Sequence, residues 1–318
     1  MQIGAFEIND PVPELRKPHV VASLRPWVDA GSVGSLALSR LERQLQAQDL
    51  GQLATPGRYF DFTRYRPMTY YVDGQRRMSI PNTILRYAPS GRDFDFVFLH
   101  MLEPHAFAEE YIESIVEVFK YFKVRRYCRM GGMYDAVPHT RPLLVMATLD
   151  GEPIKGIRGV LPRQRQQYQG PTSIMNLVGD KSTELAVENM SLMVRLPQYV
   201  QLEEDRSGSA RLLSVMCDVY DGLPPDLGVS QRGIRQYERV SAEVERNPGV
   251  AALVQKLEQD YDARMEAISQ DEPQISSEQM TGPTASLAPS IEEFLRSIGG
   301  GPSQAAGAEP EGDEREDS

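Results

Sequence analysis

Three groups of polar residues have types and spacings that could do chemistry. His100, Glu103 and His105 lie within six residues, and all are metal-ligand types. Their order fits neither H-E-x-x-H nor its inverse, and an extended chain would point His100 and Glu103 to opposite faces, so no metal is expected and His100 reads as a core histidine. Asp29 and Gly31 follow an apolar run and precede a helical pattern, a place where free amide groups can meet an anion. Gly31 and Gly34 do not complete G-x-G-x-x-G, and no Lys-Ser/Thr pair follows as in a P-loop, so a tight turn with a helix cap is the favoured reading. His139 and Arg141 stand just beyond Gly131, Gly132 and Asp135; the imidazole could donate a proton and the guanidinium could pair with an anion. Asp29, Gly31, Glu103, Gly131, Gly132, His139 and Arg141 are therefore the candidate ligand-binding residues. In the competing reading Asp29 and Glu103 cap helices and Arg141 pairs with one of them. The chain contains no G-x-S-x-G elbow and no paired C-x-x-C, so no catalytic residue is assigned and no cofactor is called for.

These residues need a sheet to bring them together. Asp95 to Met101 is a nearly unbroken apolar run, the pattern of a strand buried on both faces. Glu103-Pro104 ends it. Phe107, Tyr111, Ile115, Val118, Phe119 and Phe122 then recur at steps of three and four, which predicts a helix from 105 to 123. Val124 to Met130 resumes a strand, with Gly131-Gly132 read as its terminating turn. This is a βαβ unit, expected to be right-handed. His19 to Leu24 predicts another core strand and residues 33–45 a helix, while residues 1–17, with Pro11 and Pro13, read as a loose lead-in. Leu143 to Leu149, Thr172 to Val178 and Asn189 to Leu196 read as further strands. Helices are predicted over 210–220, 229–246 and 248–268, the last carrying an apolar stripe through Leu257 and Tyr261. In an open sheet of this kind the loops at the carboxyl ends of the strands converge on one crevice, and those loops carry the candidate residues.

Between these elements, residues 58–87 alternate aromatic and polar residues around Asp73-Gly74, a hairpin turn signal. Its tyrosines and arginines could stack on single-stranded nucleic acid. An antiparallel extension or a partner interface is the favoured reading, since the protein is acidic and carries no ribonucleoprotein motif.

The chain has 318 residues and a net charge of −11. Residues 299–318 hold six acidic side chains against Arg315, which accounts for −5 of that charge. No basic stripe offers a general grip on nucleic acid. No apolar run approaches the roughly 20 residues of a membrane span, and the start lacks the charged and apolar regions of a signal peptide. Cys128 and Cys217 are the only cysteines. A cytoplasmic protein without a disulfide is expected. Residues 1–268 are assigned to an α/β domain with a C-terminal helical extension. Residues 269–318 are assigned to a disordered acidic tail, in which the capping box Ser290-Ile291-Glu292-Glu293 starts a short helix over 290–298.

Trp27-Val28-Asp29-Ala30-Gly31, Leu102-Glu103-Pro104, Gly131-Gly132, Pro138-His139-Thr140-Arg141-Pro142 and Leu257-Glu258-Gln259-Asp260-Tyr261-Asp262 occur in an order that resembles the proteasome assembly chaperone type-two family, particularly its bacterial branch. The likeness covers roughly residues 15–265. It implies a three-layer α/β fold, mostly parallel, with helices on both faces, like the nucleoside phosphorylase and hydrolase group. It also implies self-association and no established enzymatic activity; some relatives help proteasome α-subunits assemble. Pro197-Gln198-Tyr199 stands where the family pattern has Pro-His-Tyr. The expected function is a homo-oligomeric protein-binding module whose partners are itself and proteasome subunits or another protein complex. Phe107, Tyr111, Phe119, Leu257 and Tyr261 are its candidate interface residues. The alternative is a phosphorylase-like enzyme or small-molecule binder using the crevice.

Overall fold

The computed structural model describes residues 1–157, 159–161, 170–221, 223 and 227–269. Ten strands form one mixed sheet. In chain order the strands are β1 (Gln2–Ile3), β2 (Phe6–Ile8), β3 (His19–Arg25), β4 (Gln48–Leu53), β5 (Met68–Val72), β6 (Gln75–Ser79), β7 (Ile84–Pro89), β8 (Asp95–Leu102), β9 (Arg126–Asp135), β10 (Val145–Leu149), β11 (Glu152–Pro153) and β12 (Glu188–Pro197). The helices are α1 (Val33–Gln44), α2 (Ala108–Phe122), α3 (Ile174–Thr183), α4 (Arg206–Val219), α5 (Leu227–Glu245) and α6 (Pro248–Ser269). The large sheet runs β1-β2-β4-β7-β8-β3-β9-β12-β10-β11, and β5 pairs with β6 apart from it.

The α/β class expected from the sequence is what the chain adopts, with its parallel character confined to the four central strands. β8, β3, β9 and β12 pair in parallel, and the flanking strands join antiparallel. The βαβ unit spans a gap: β3 lies between β8 and β9. Alternation along β3 explains the layering. Val20, Ala22 and Leu24 face a core completed by Ile112, Ile115 and Phe119 of α2 and by Ile174, Met175 and Val178 of α3. Val21 faces the opposite core with Val33, Leu38 and Leu41 of α1 and Leu212, Val215 and Met216 of α4. Side chains that must satisfy both layers are apolar throughout, which gives the continuous run in β8. Each fully buried Val, Leu or Phe contributes about 1.5–3 kcal/mol relative to exposure.

Several expectations are corrected. Residues 172–178 are not a strand; they begin α3, whose buried positions Ile174, Met175, Val178 and Ser182 follow helical spacing behind Ser173. The lead-in holds β1 and β2, because Phe6 and Ile8 are buried on alternate positions against β4, itself not anticipated. Gly131-Gly132 does not end β9. The strand continues to Asp135, paired with β12 along its whole length. A Cβ on Gly131 would sit 2.1 Å from the Val28 carbonyl oxygen, so these glycines serve close approach of a neighbouring loop rather than a turn. The hairpin forms as expected: Val72 pairs with Gln75, and Asp73 and Gly74 both have positive φ. The tail and the helix over 290–298 lie outside the described residues.

Candidate functional site

The carboxyl ends of the parallel strands carry the candidate residues, and most are committed to holding the chain together. Asp29 lies where the chain leaves β3. Its Oδ1 accepts hydrogen bonds from the amides of Gly34 at 2.6 Å and Ser35 at 3.3 Å, and its Oδ2 accepts from the Ser35 hydroxyl at 2.6 Å. These amides belong to the first turn of α1, so the carboxylate caps that helix. Burial raises the Asp29 pKa, while the three hydrogen bonds oppose the shift. The backbone beside it is fastened to β9: Gly132 N–H donates to Val28 O at 2.9 Å.

Gly31 sits at φ +57, and Asp205 N–H donates to its carbonyl at 2.8 Å. Asp205 is the residue that sequence reasoning missed. It is buried, caps α4 by accepting from Gly208 N–H at 2.8 Å, and accepts from the Tyr237 hydroxyl of α5 at 2.8 Å. A capping Asp ahead of the 210–220 helix was a readable signal. Its contact with Gly31, far away in sequence, was not.

Glu103 is half-buried after β8, and its Oε1 accepts from Ile174 N–H at 3.3 Å, the first residue of α3. Its Oε2 is buried without a hydrogen-bond partner among the described residues, and burial raises its pKa. Thus Glu103, like Asp29, caps a helix.

His139 is not an accessible proton donor. It is 5 % exposed: Nδ1 lies 2.6 Å from the Tyr199 hydroxyl and Nε2 3.0 Å from the Ser241 hydroxyl of α5. Burial drives its pKa down to about 4, so the ring is neutral near neutral pH. Arg141 pairs with neither Asp29 nor Glu103. Its guanidinium forms a fork with Asp262 at 2.9 and 2.8 Å and reaches Glu258 at 3.1 Å, which ties the loop to α6.

The seven candidates therefore form no common binding pocket. Asp29, Gly31, Gly131 and Gly132 are brought together, Glu103 serves α3, and His139 and Arg141 serve α5 and α6. The His100, Glu103 and His105 set is also dispersed. His100 Nε2 lies 2.6 Å from Glu42 Oε1 of α1, and His105 Nδ1 accepts from the Asp61 amide at 3.1 Å. Among the described residues no three His, Cys, Asp or Glu side chains cluster as a metal ion would require. No described helix is long and apolar enough to cross a membrane.

The interface candidates divide in the same way. Tyr111 and Phe119 are fully buried beneath α2, and Leu257 packs against Val240 and Val250 within the helical extension. Those three are interior residues, because the stripes that predicted them cover the chain's own core. Tyr261 is half-buried and donates to the Pro142 carbonyl at 2.8 Å. Phe107 alone is exposed, with the Arg58 guanidinium 4.7 Å over its ring.

The exposed apolar surface lies elsewhere. Every residue from Met68 to Ile80 is exposed, and among them are Met68, Tyr70, Tyr71, Val72, Met78 and Ile80. An open depression of about 590 Å³ is lined by Arg58, Tyr59, Asp61, Arg64 and His105. A second groove, about 300 Å³, runs between the β1–β2 turn and α2, with Glu110, Glu113 and Glu117 on its wall.

Solved structures share this fold. A protein of unknown function from Corynebacterium glutamicum superposes with a TM-score of 0.73 at 20% identity, covering 82% of this chain and 98% of the other. A proteasome-assembly chaperone homologue from Mycobacterium tuberculosis gives 0.64 at 23% identity, covering 74% and 99%. An archaeal proteasome activator from Pyrococcus furiosus gives 0.57 at 17% identity, covering 77% and 100%. No curated protein sequence matches. The pattern of the PAC2 family matches residues 23–246, most of the described chain, and the protein belongs to that family.

Proposed function

We propose that this protein is a self-associating, protein-binding module that assists assembly of a protein complex, with proteasome subunits as its partner class. The exposed hairpin carries this reading. A two-stranded ribbon is marginal in water on its own, and this one buries none of its residues on the body of its chain. An element of that shape, rich in Tyr, Met and Arg, has the composition of a protein interface. The fold shared with a proteasome-assembly chaperone homologue and a proteasome activator supports the partner class. The cytoplasm is the compartment this reading requires.

The enzyme alternative draws no support from the crevice. Asp29 and Glu103 cap helices, His139 is buried and neutral, and Arg141 is held by two carboxylates. The test is photo-crosslinking from a benzophenone amino acid placed at Tyr71, with proteasome α-subunits co-expressed beside the full-length protein. Adducts to an α-subunit are expected. Adducts to neither an α-subunit nor a second copy of the protein would refute the reading.

A further inference from the structure

The sheet edges of this protein are protected in different ways, and one edge is left open. The ten-stranded sheet ends on β1 and β11, strands of 2 residues each, and β11 contains Pro153, which has no N–H to offer. Such short edges give another strand little to extend. The hairpin is built otherwise. β5 and β6 are 5 residues long, each has the other as its sole neighbour among the described strands, and every residue in them is exposed. β6 carries Arg76 and Arg77, which reach only Thr69 and Gln75 and meet no carboxylate among the described residues. β5, which reads Met68-Thr69-Tyr70-Tyr71-Val72, carries no charge. Charged side chains keep an exposed edge from pairing, and β5 lacks them.

The register fixes which groups β5 offers. The turn at Asp73-Gly74 closes on the pair Val72–Gln75, and hydrogen-bonded and open pairs alternate from there. Val72, Tyr70 and Met68 therefore bond to β6, while the N–H and C=O groups of Thr69 and Tyr71 point away from it. These groups are spaced to pair with their own copies. In an antiparallel contact centred on Tyr70, Thr69 of one copy exchanges hydrogen bonds with Tyr71 of the other, Tyr70 lies opposite Tyr70, and Met68 lies opposite Val72. The apolar face of Met68, Tyr70 and Val72 then continues across the contact in favourable cross-strand pairs. The same operation on β6 sets Arg77 directly opposite Arg77, with Cα atoms about 4.5 Å apart. Like charges so placed destabilise a ladder.

We propose that two copies join antiparallel through the β5 edge, so that their hairpins form one sheet in the order β6-β5-β5-β6 with a twofold axis at Tyr70. The inference rests on the self-association proposed above and names the strand that makes it. The contact is isologous and consumes the uncharged edge of each hairpin, so it does not propagate into a chain of copies. It leaves the arginines on the outer strands, roughly 14 Å apart across three strand spacings and beyond the Debye length of about 8 Å at physiological salt. Both faces of the joined sheet stay open to a partner.

Two proline variants of the full-length protein test the choice of edge. Thr69 and Met78 lie directly across from each other, and each points its N–H outward, one on either edge. Thr69→Pro and Met78→Pro therefore disturb the hairpin alike and differ in the edge they block. Thr69→Pro is expected to lower self-affinity on the order of 10- to 100-fold, since the twofold contact loses a hydrogen bond from each copy, and Met78→Pro to leave it near that of the unaltered protein. Equal effects of the two prolines, or a loss from Met78→Pro alone, overturn the proposal. Disulfide trapping in a Cys217→Ser background is the second measurement. Tyr70→Cys sets thiols on a pair with Cα atoms about 4.5 Å apart, within reach of a disulfide, whereas Arg77→Cys sets them roughly 14 Å apart. A covalent dimer from Tyr70→Cys and none from Arg77→Cys is expected. Trapping through Arg77→Cys, or through neither while the protein still self-associates, shows that β5 is not the contact and leaves self-association standing. A monomeric unaltered protein would overturn both.

Discussion

Gly131→Ala is a one-methyl change that tests whether the central glycines serve packing or ligand binding. The added Cβ would lie 2.1 Å from the Val28 carbonyl oxygen, 3.2 Å from Met193 Sδ and 3.3 Å from the Val28 carbonyl carbon. Two of those neighbours are backbone, so relief requires the 26–31 loop and β9 to separate by at least about 1 Å. Overpacking of that kind costs about 1–3 kcal/mol. The displacement also strains the hydrogen bond from Gly132 N–H to Val28 O, worth about 0.5–1.5 kcal/mol. The expected loss is about 2–4 kcal/mol, or about 4–16 °C in Tm for a domain of this size. Urea titration followed by Trp27 fluorescence measures it. Gly151→Ala is the control: φ is +81 with no atom within 4 Å, so only backbone strain of about 1 kcal/mol applies. A Gly131→Ala protein within about 0.5 kcal/mol of the unaltered one would refute the packing role.

Two further predictions concern buried titratable groups. His19 and His139 are both held down to about 4, chiefly by burial. Their unfolded value is near 6.5, so between these values the unfolded chain binds more protons than the folded one. Stability is therefore full above about pH 6.5 and falls as pH drops towards 4, by up to about 3 kcal/mol per ring. His19 stacks on Phe94 at 4.4 Å with its Nδ1 unpartnered among the described residues, so His19→Phe should lessen the fall in urea midpoint between about pH 7 and 4.5; an unchanged fall refutes it. Burial pushes the Cys128 thiol up to about 12, while Cys217 is half-buried. Under native conditions a thiol reagent should label Cys217 and spare Cys128, and prompt labelling of both would contradict the packing of β9.

Legibility followed the range of the forces involved. The run in β8 and the stripes of α1, α2 and α6 were readable because burial imposes a period on neighbouring residues. The same stripes misled where they assigned Tyr111, Phe119 and Leu257 to a partner, since periodicity reports that a face is covered and not by what. Thr172–Val178 was misread because a short apolar run carries no period of its own; the Ser173 position ahead of Ile174 and Met175 was the better signal. That Asp29 and Glu103 cap helices was one of two open readings, and the hydrogen bonds decide for it. The Arg141 fork to α6 and the Asp205 contact with Gly31 join residues distant in the chain, and nothing local announces them. Gly131-Gly132 was visible as a pair, yet its cause, a carbonyl from another loop, was not.

Sedimentation equilibrium of the full-length protein, beside a form with residues 68–79 replaced by a short Gly-Ser linker, tests the central claim most directly. The replaced residues are exposed, so the body of the fold is left in place. The unaltered protein should sediment as a multiple of 35.7 kDa at micromolar concentration, and the shortened form as a monomer with unchanged Tm. A single 35.7 kDa species for the unaltered protein across that range would contradict the account.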